Sequence, residues 1–366
     1  MRKVLFVLTI ILFVAGEANI IGETNNKAKG KKEILSPSQK EKLIKERNRA
    51  FISMEEKVRD PFILLGPDNN YYLTGTTAGS HWGDTIGVKI WKSSDLCNWE
   101  SLGFVWDIEK DGKDSWFFNR KPTNKSFKNL YAVWAPEVHF FNNTWWLTIS
   151  RNGGGHGLLK SISGEVTGPY EETDVNYLKG IDSHLFEDNG HVYYAYAGSK
   201  LSEMNNDMLS MKDEDFTELK LPGKHEMGYE GVYIMKFEDK YLWIASGRYG
   251  YEPTNTYDLY YAVSDDLYEG YGQRRMMIKN AGHGNIFQDK SGNWWSTAFD
   301  HEYTDQWCCW LVPIELKLVD DDVIVEILDE RFSPNKEDQD SVKKLSKTGI
   351  PSQWKGKTPW WRPTKN

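Results

Sequence analysis

Cysteine is nearly absent: three residues in 366, Cys97, Cys308 and Cys309, two of them adjacent. They cannot build a disulfide framework, so a fold of this size has to be held by its own core. Long apolar runs are missing as well. The stretch from Val4 to Val14 is shorter than the roughly 20 residues a membrane-spanning helix needs, which argues against membrane insertion. With Met1-Arg2-Lys3 before it and the small residues Ala15, Gly16 and Ala18 after it, residues 1–18 read as a secretory signal peptide. Export to the periplasm or the extracellular space is expected, and no cysteine follows that could carry a lipid. An excess of positive charge is also lacking. The 45 Lys and Arg against 53 Asp and Glu give a net charge of −8, and the two signs are interspersed. Binding to a phosphate backbone then has no electrostatic basis, so nucleic acid is excluded as a partner. Nothing in the sequence specifies an oligomeric state.

What is abundant is aromatic: Trp 16, Tyr 19 and Phe 16 make up 14% of the chain. Such rings suit a β-core and equally suit the C–H faces of sugars, so composition alone does not choose. Residues 19–35 are polar, rich in Asn, Lys and Gly, and read as a disordered leader. A helix is expected over 36–57, because Ser36 can cap it, Pro37 fits the first helical position and Gln39 completes a capping box. Beyond it the helical period disappears.

In its place a pattern recurs five times: a short strand with a polar or acidic opening, a turn of Asn, Asp or Gly, and an aromatic strand. The copies begin at Asp60-Pro61-Phe62, Ala135-Pro136-Glu137, Asp182-Ser183-His184, Glu230-Gly231-Val232 and Gly282-His283-Gly284. The outer part echoes too, since Lys92-Ser93-Ser94-Asp95-Leu96 resembles Val263-Ser264-Asp265-Asp266-Leu267. Repeats of this length with hairpin punctuation predict an all-β chain, a five-bladed β-propeller with a short N-terminal helix. The propeller is assigned to 58–330, with a loop insertion near 106–131, and 331–366 as a C-terminal extension.

In a propeller the innermost strands line the axis, which would bring Asp60, Glu137, Asp182, Glu230 and His283 together. Burying carboxylates costs several kcal/mol unless they are paired, so packing does not explain them. Glycosidic bond hydrolysis does: it needs one carboxyl kept protonated to donate to the leaving oxygen and one carboxylate to activate water or attack. Crowding raises a carboxyl pKa toward working pH. The glycine-rich stretch Gly153-Gly154-Gly155-His156-Gly157 is no phosphate loop, lacking the Lys-Ser/Thr pair, and reads as a rim loop.

The motifs Arg59-Asp60-Pro61, Trp134-Ala135-Pro136-Glu137, Ile181-Asp182-Ser183-His184-Leu185-Phe186, Tyr229-Glu230-Gly231 and Gly282-His283-Gly284-Asn285 resemble the successive blade motifs of glycoside hydrolase family 43. That resemblance implies Asp60 as the base that activates water, Asp182 as the group that orients the acid and adjusts its pKa, and Glu230 as the general acid. It implies inversion at the anomeric centre and removal of terminal arabinofuranose, xylose or galactose-type sugars from plant or algal polysaccharide. Val232 stands where a proline is common in the family. Glu137 is open between substrate contact and structural anchor, and Trp82 and Trp134 between stacking on sugar and core packing. Arg248 either meets a sugar hydroxyl, restrains a catalytic carboxylate or forms a surface salt bridge. His283 is either a core histidine or, as the resemblance implies, the contact of a calcium ion on the axis; no organic cofactor is expected. Two other readings stay open, a retaining hydrolase of another five-bladed family and a non-catalytic sugar-binding propeller.

Overall fold

Hairpin turns between the aromatic segments set the architecture. Asn69, Asn142, Asn143, Asn189 and Gly190 all take left-handed conformations, which Asn and Gly adopt with little strain. In the computed structural model, which describes residues 33–77, 85–112, 132–151, 154–213, 215–223, 226–247, 256–300 and 307–348, each of these turns joins an innermost strand to the second strand of its blade.

Five antiparallel sheets result. Blade 1 runs β2 (Arg59–Leu65), β3 (Tyr71–Thr76), β4 (Gly87–Ser93) and β5 (Glu100–Asp107). Blade 2 holds β6 (Val133–Phe141), β7 (Thr144–Arg151), β8 (His156–Ser161) and β9 (Tyr170–Tyr177). Blade 3 is β10 (His184–Asp188), β11 (His191–Tyr196), β12 (Lys200–Glu203) and β13 (Thr217–Glu218). Blade 4 is β14 (Glu230–Phe237), β15 (Lys240–Gly247), β16 (Asp258–Ser264) and β17 (Arg275–Ile278). In blade 5, β18 (Ile286–Gln288), β19 (Trp294–Ala298) and β20 (Cys309–Val319) come from late in the chain, and the fourth strand is β1 (Phe51–Met54) from its beginning. The expected all-β, five-bladed propeller is thus the fold.

The ring is held by apolar layers between neighbouring blades. Val88, Ile90 and Tyr72 of blade 1 pack on Val138, Trp145 and Leu147 of blade 2, and Trp146 and Leu158 meet Leu185 and Tyr194 of blade 3. Further clusters join blades 3 and 4, 4 and 5, and 5 and 1. Sheets covered on both faces bury their strands throughout, so β3 and β16 are buried at every residue and lack the alternation of a one-sided strand. Each large side chain so buried contributes roughly 1.5–3 kcal/mol. Threonine hydroxyls add polar links: Thr74, Thr148 and Thr297 donate to the carbonyls of Pro136, Ser183 and Pro61 in the adjoining blade, at 2.7, 2.7 and 2.6 Å.

The N-terminal helix is shorter than expected. Helix α1 covers Pro37–Glu46, with the Ser36–Gln39 capping box in place, and ends at Arg47 in a left-handed conformation. Past Arg47 the aromatic and β-branched run Phe51-Ile52 pairs with Leu311 and Trp310 instead. This strand closes the ring, so the propeller begins before residue 58. A second helix, α2 (Lys336–Thr348), occupies part of the C-terminal extension. Of the expected insertion, Trp106 belongs to β5 and is buried, while 113–131 lie outside the described residues.

Candidate active site

The inner strands share a device at their entry. Arg59 pairs with Thr76, Trp134 with Ser150 and Glu230 with Ser246, and after each pair the register slips by a bulge. The bulge residues take positive φ, 51° at Asp60, 40° at Ala135 and 62° at Gly231; Asp182 holds the matching place in blade 3 at 57°. Such conformations hold about 1–3 kcal/mol of strain and cluster at functional sites, because they re-aim a side chain. Here they turn Asp60 and Asp182 toward one histidine.

His283 Nδ1 lies 3.4 Å from Asp182 Oδ2 and 3.9 Å from Asp60 Oδ1, ion-pair distances without a formed hydrogen bond. Burial opposes charge on this ring, but Asp182, Asp60 and Glu137 outweigh it and lift the imidazole to about 9. His283 is therefore a cation at neutral pH. Asp182 Oδ2 also accepts the Gly231 N–H at 3.0 Å, and its own N–H donates to Ser150 Oγ at 2.6 Å. The Thr76 hydroxyl donates to Asp60 Oδ2 at 2.7 Å and accepts the Ala135 N–H at 2.8 Å, which fixes how the Asp60 carboxylate is turned.

Glu230 is half-buried beside them. Loss of water raises its carboxyl first, and the charge of Asp182 and then Asp60 raises it further. A hydrogen bond from Tyr257 OH to Oε1, at 2.5 Å, and the positive charge of Arg59 pull the other way, and the balance is about 7. One carboxyl is thus poised to be protonated near neutral pH, while two others stand by with fixed orientations. That is an acid–base set suited to glycosidic bonds. Tyr257 escaped the sequence reading because it lies in no repeat opening; it precedes β16, and only the fold brings its phenol to Glu230.

Residues 53–310 match the family model described as "Glycosyl hydrolases family 43". The chain belongs to glycoside hydrolase family 43. Solved structures agree on the fold. A thermostable family-43 glycoside hydrolase is 24% identical, with 76% of this chain and 95% of that one covered and a TM-score of 0.55. An endo-1,4-beta-xylanase from Bacteroides thetaiotaomicron is 21% identical over 75% of this chain and 96% of its own, at 0.53. An alpha-L-arabinofuranosidase from Clostridium thermocellum is 18% identical over 75% and 94%, at 0.55. Among curated proteins none matches the chain.

In this family 43 glycoside hydrolase the remaining expected residues fare differently. Glu137 does not share the layer of Asp60, Asp182 and Glu230. It pairs with Thr148, two residues past the bulge, is 3% exposed and is held by two histidines. Of the two roles left open for it, this favours the anchor. Trp134, 6% exposed and packed on Ala132, leans likewise toward the core. Trp82 and Arg248 lie outside the described residues. Of the glycine-rich stretch, Gly153 lies outside the described residues; between β7 and β8 the N–H of Arg151 donates to the carbonyl of Gly155. As a calcium site His283 fits poorly. Calcium takes six to eight oxygens, whereas this side chain offers nitrogen and turns its Nδ1 to the carboxylates of Asp182 and Asp60 at 3.4 and 3.9 Å, so calcium enters no step below.

Proposed function

We propose that this family 43 hydrolase is exported and cleaves glycosides with inversion, in one displacement, using Asp60, Asp182 and Glu230. Water held by Asp60 attacks the anomeric carbon and gives its proton to that carboxylate. The bond to the leaving oxygen breaks as the Glu230 proton passes to that oxygen. Asp182 positions the acid by holding the Gly231 N–H next to it and raises its pKa by charge. The observation that carries this reading is a carboxyl at about 7 facing two further carboxylates around one imidazolium. The leader of residues 1–18 supports export. Terminal arabinofuranose, xylose or galactose-type residues of plant or algal polysaccharide are the proposed substrates. The names of similar structures, which include a xylanase, an endo-arabinase and an arabinofuranosidase, support the pentoses.

The test combines stereochemistry with two substitutions. NMR of the first product formed should show the inverted anomer. Glu230→Gln should be nearly inactive on sugars with poor leaving groups yet lose much less on activated aryl glycosides, which leave unprotonated. Asp60→Asn should lose about 10²–10⁴-fold on both. A retained anomer, or equal losses for the two variants on every substrate, would overturn the assignment.

A further inference from the structure

Two residues along the axis from the catalytic bulges lies a second polar cluster that the acid–base chemistry does not use. Glu137 and His139 stand on β6, on one face of the strand because they are two residues apart. His184 opens β10 in the next blade. All three are about 3% exposed. They form a group of metal-ligating side chains whose ligand atoms lie within 4.8 Å of one another.

The hydrogen bonds constrain what can sit there. Both imidazoles meet the same oxygen, His139 Nε2 at 2.9 Å and His184 Nδ1 at 2.8 Å from Glu137 Oε2. The other ring nitrogen of His184 is 3.2 Å from the carbonyl of Ile234, in blade 4. A carbonyl only accepts, so Nε2 carries the hydrogen. Nδ1 then meets the carboxylate oxygen at 2.8 Å, and the place between these two atoms takes a cation, either a proton or a metal ion. A histidine whose far N–H is held by a backbone carbonyl has the orientation that metal-bound histidines show. The rings of Phe62 and Tyr233 pack around the pair of imidazoles and keep the place apolar outside the three ligands.

We propose that Glu137, His139 and His184 bind a divalent ion of the zinc class on the propeller axis. Two imidazole nitrogens and one carboxylate oxygen, with a further position for water, are donors that zinc favours and calcium does not. Bonds of about 2.0–2.1 Å around a tetrahedral ion place ligands roughly 3.3 Å apart, so the cluster opens by about half an ångström as the ion enters. The ion takes the place of the protons shared with Glu137, which leave to solvent. It ties blade 2 to blade 3, with blade 4 holding His184 in line. Because it binds only the folded ring, it stabilises that state by mass action.

The probe is zinc chloride, added to chelator-stripped full-length protein carrying no polyhistidine tag. One zinc per chain is expected after desalting at neutral pH, with a melting temperature raised in step with free zinc. His139→Gln and His184→Gln should lose both the zinc and the shift, while His283→Ala should keep them. A wild-type chain that retains no zinc overturns the proposal, as do zinc and a shift that survive both substitutions; the trio is then a proton-sharing network. Should the substituted chains misfold by circular dichroism, cobalt loading of the wild type decides. Intense visible bands of a four-coordinate ion support the site, and their absence refutes it.

Discussion

Removing the Tyr257 hydroxyl tests the account of the acid most directly. In Tyr257→Phe the ring stays, but Glu230 Oε1 loses the donor at 2.5 Å that favours its charged form. A hydrogen bond to a charged group contributes about 1.5–3 kcal/mol, and about 1.36 kcal/mol corresponds to one pKa unit. The lost bond therefore raises Glu230 by about one to two units, nearer one because the group is only partly buried and water takes up part of the difference. A general acid works only while protonated, so activity falls as pH rises through its pKa. The basic limb of kcat/KM, set near 7 by Glu230 in the wild type, should move to about 8 in the variant, whatever happens to the plateau. The assay is kcat/KM against pH on a substrate with a poor leaving group, where protonation matters. A basic limb that stays in place or moves to lower pH would refute the assignment of Glu230 as the acid tuned by this phenol.

Asp182→Asn should move the same limb the opposite way, because the Asp182 charge raises Glu230; pH profiles of the two variants should bracket the wild type. Gly231→Ala should lose activity and about 1–3 kcal/mol of stability. Its φ is +62°, and a Cβ there would stand 2.6 Å from Ser246 Oγ and 2.8 Å from His283 Cδ2; melting curves and kcat report it. Thr148→Val should cost about 1–3 kcal/mol in urea unfolding, since it leaves the buried Ser183 carbonyl unpaired between blades 2 and 3.

Much of this molecule is legible in its sequence. Five openings, their turns and the aromatic second strands follow from local preferences, because Asn and Gly turns and β-rich segments fold much the same way wherever they occur. The repeat also marked Asp60, Asp182, Glu230 and His283 as neighbours, and the fold joins the first two to His283 within 4 Å. The helix limit was not legible. Nothing between Arg47 and Met54 forbids another two turns, and only the vacant edge of blade 5, made of residues some 260 positions later, turns Phe51–Met54 into a strand. Glu137 was misplaced by one layer for a similar reason. A bulge shifts register by a single residue, and the motif Trp-Ala-Pro-Glu does not reveal where the slip falls. Tyr257 and the pairing of His139 and His184 with Glu137 had no signal at all in the sequence. They are contacts between side chains on different strands and blades, and their existence depends on how the ring closes. Local sequence already marks Asp60, Asp182 and Glu230 as strand-opening carboxylates. Only the folded ring raises one of them, Glu230, toward neutral pH, because that depends on burial and on charges brought in from other blades.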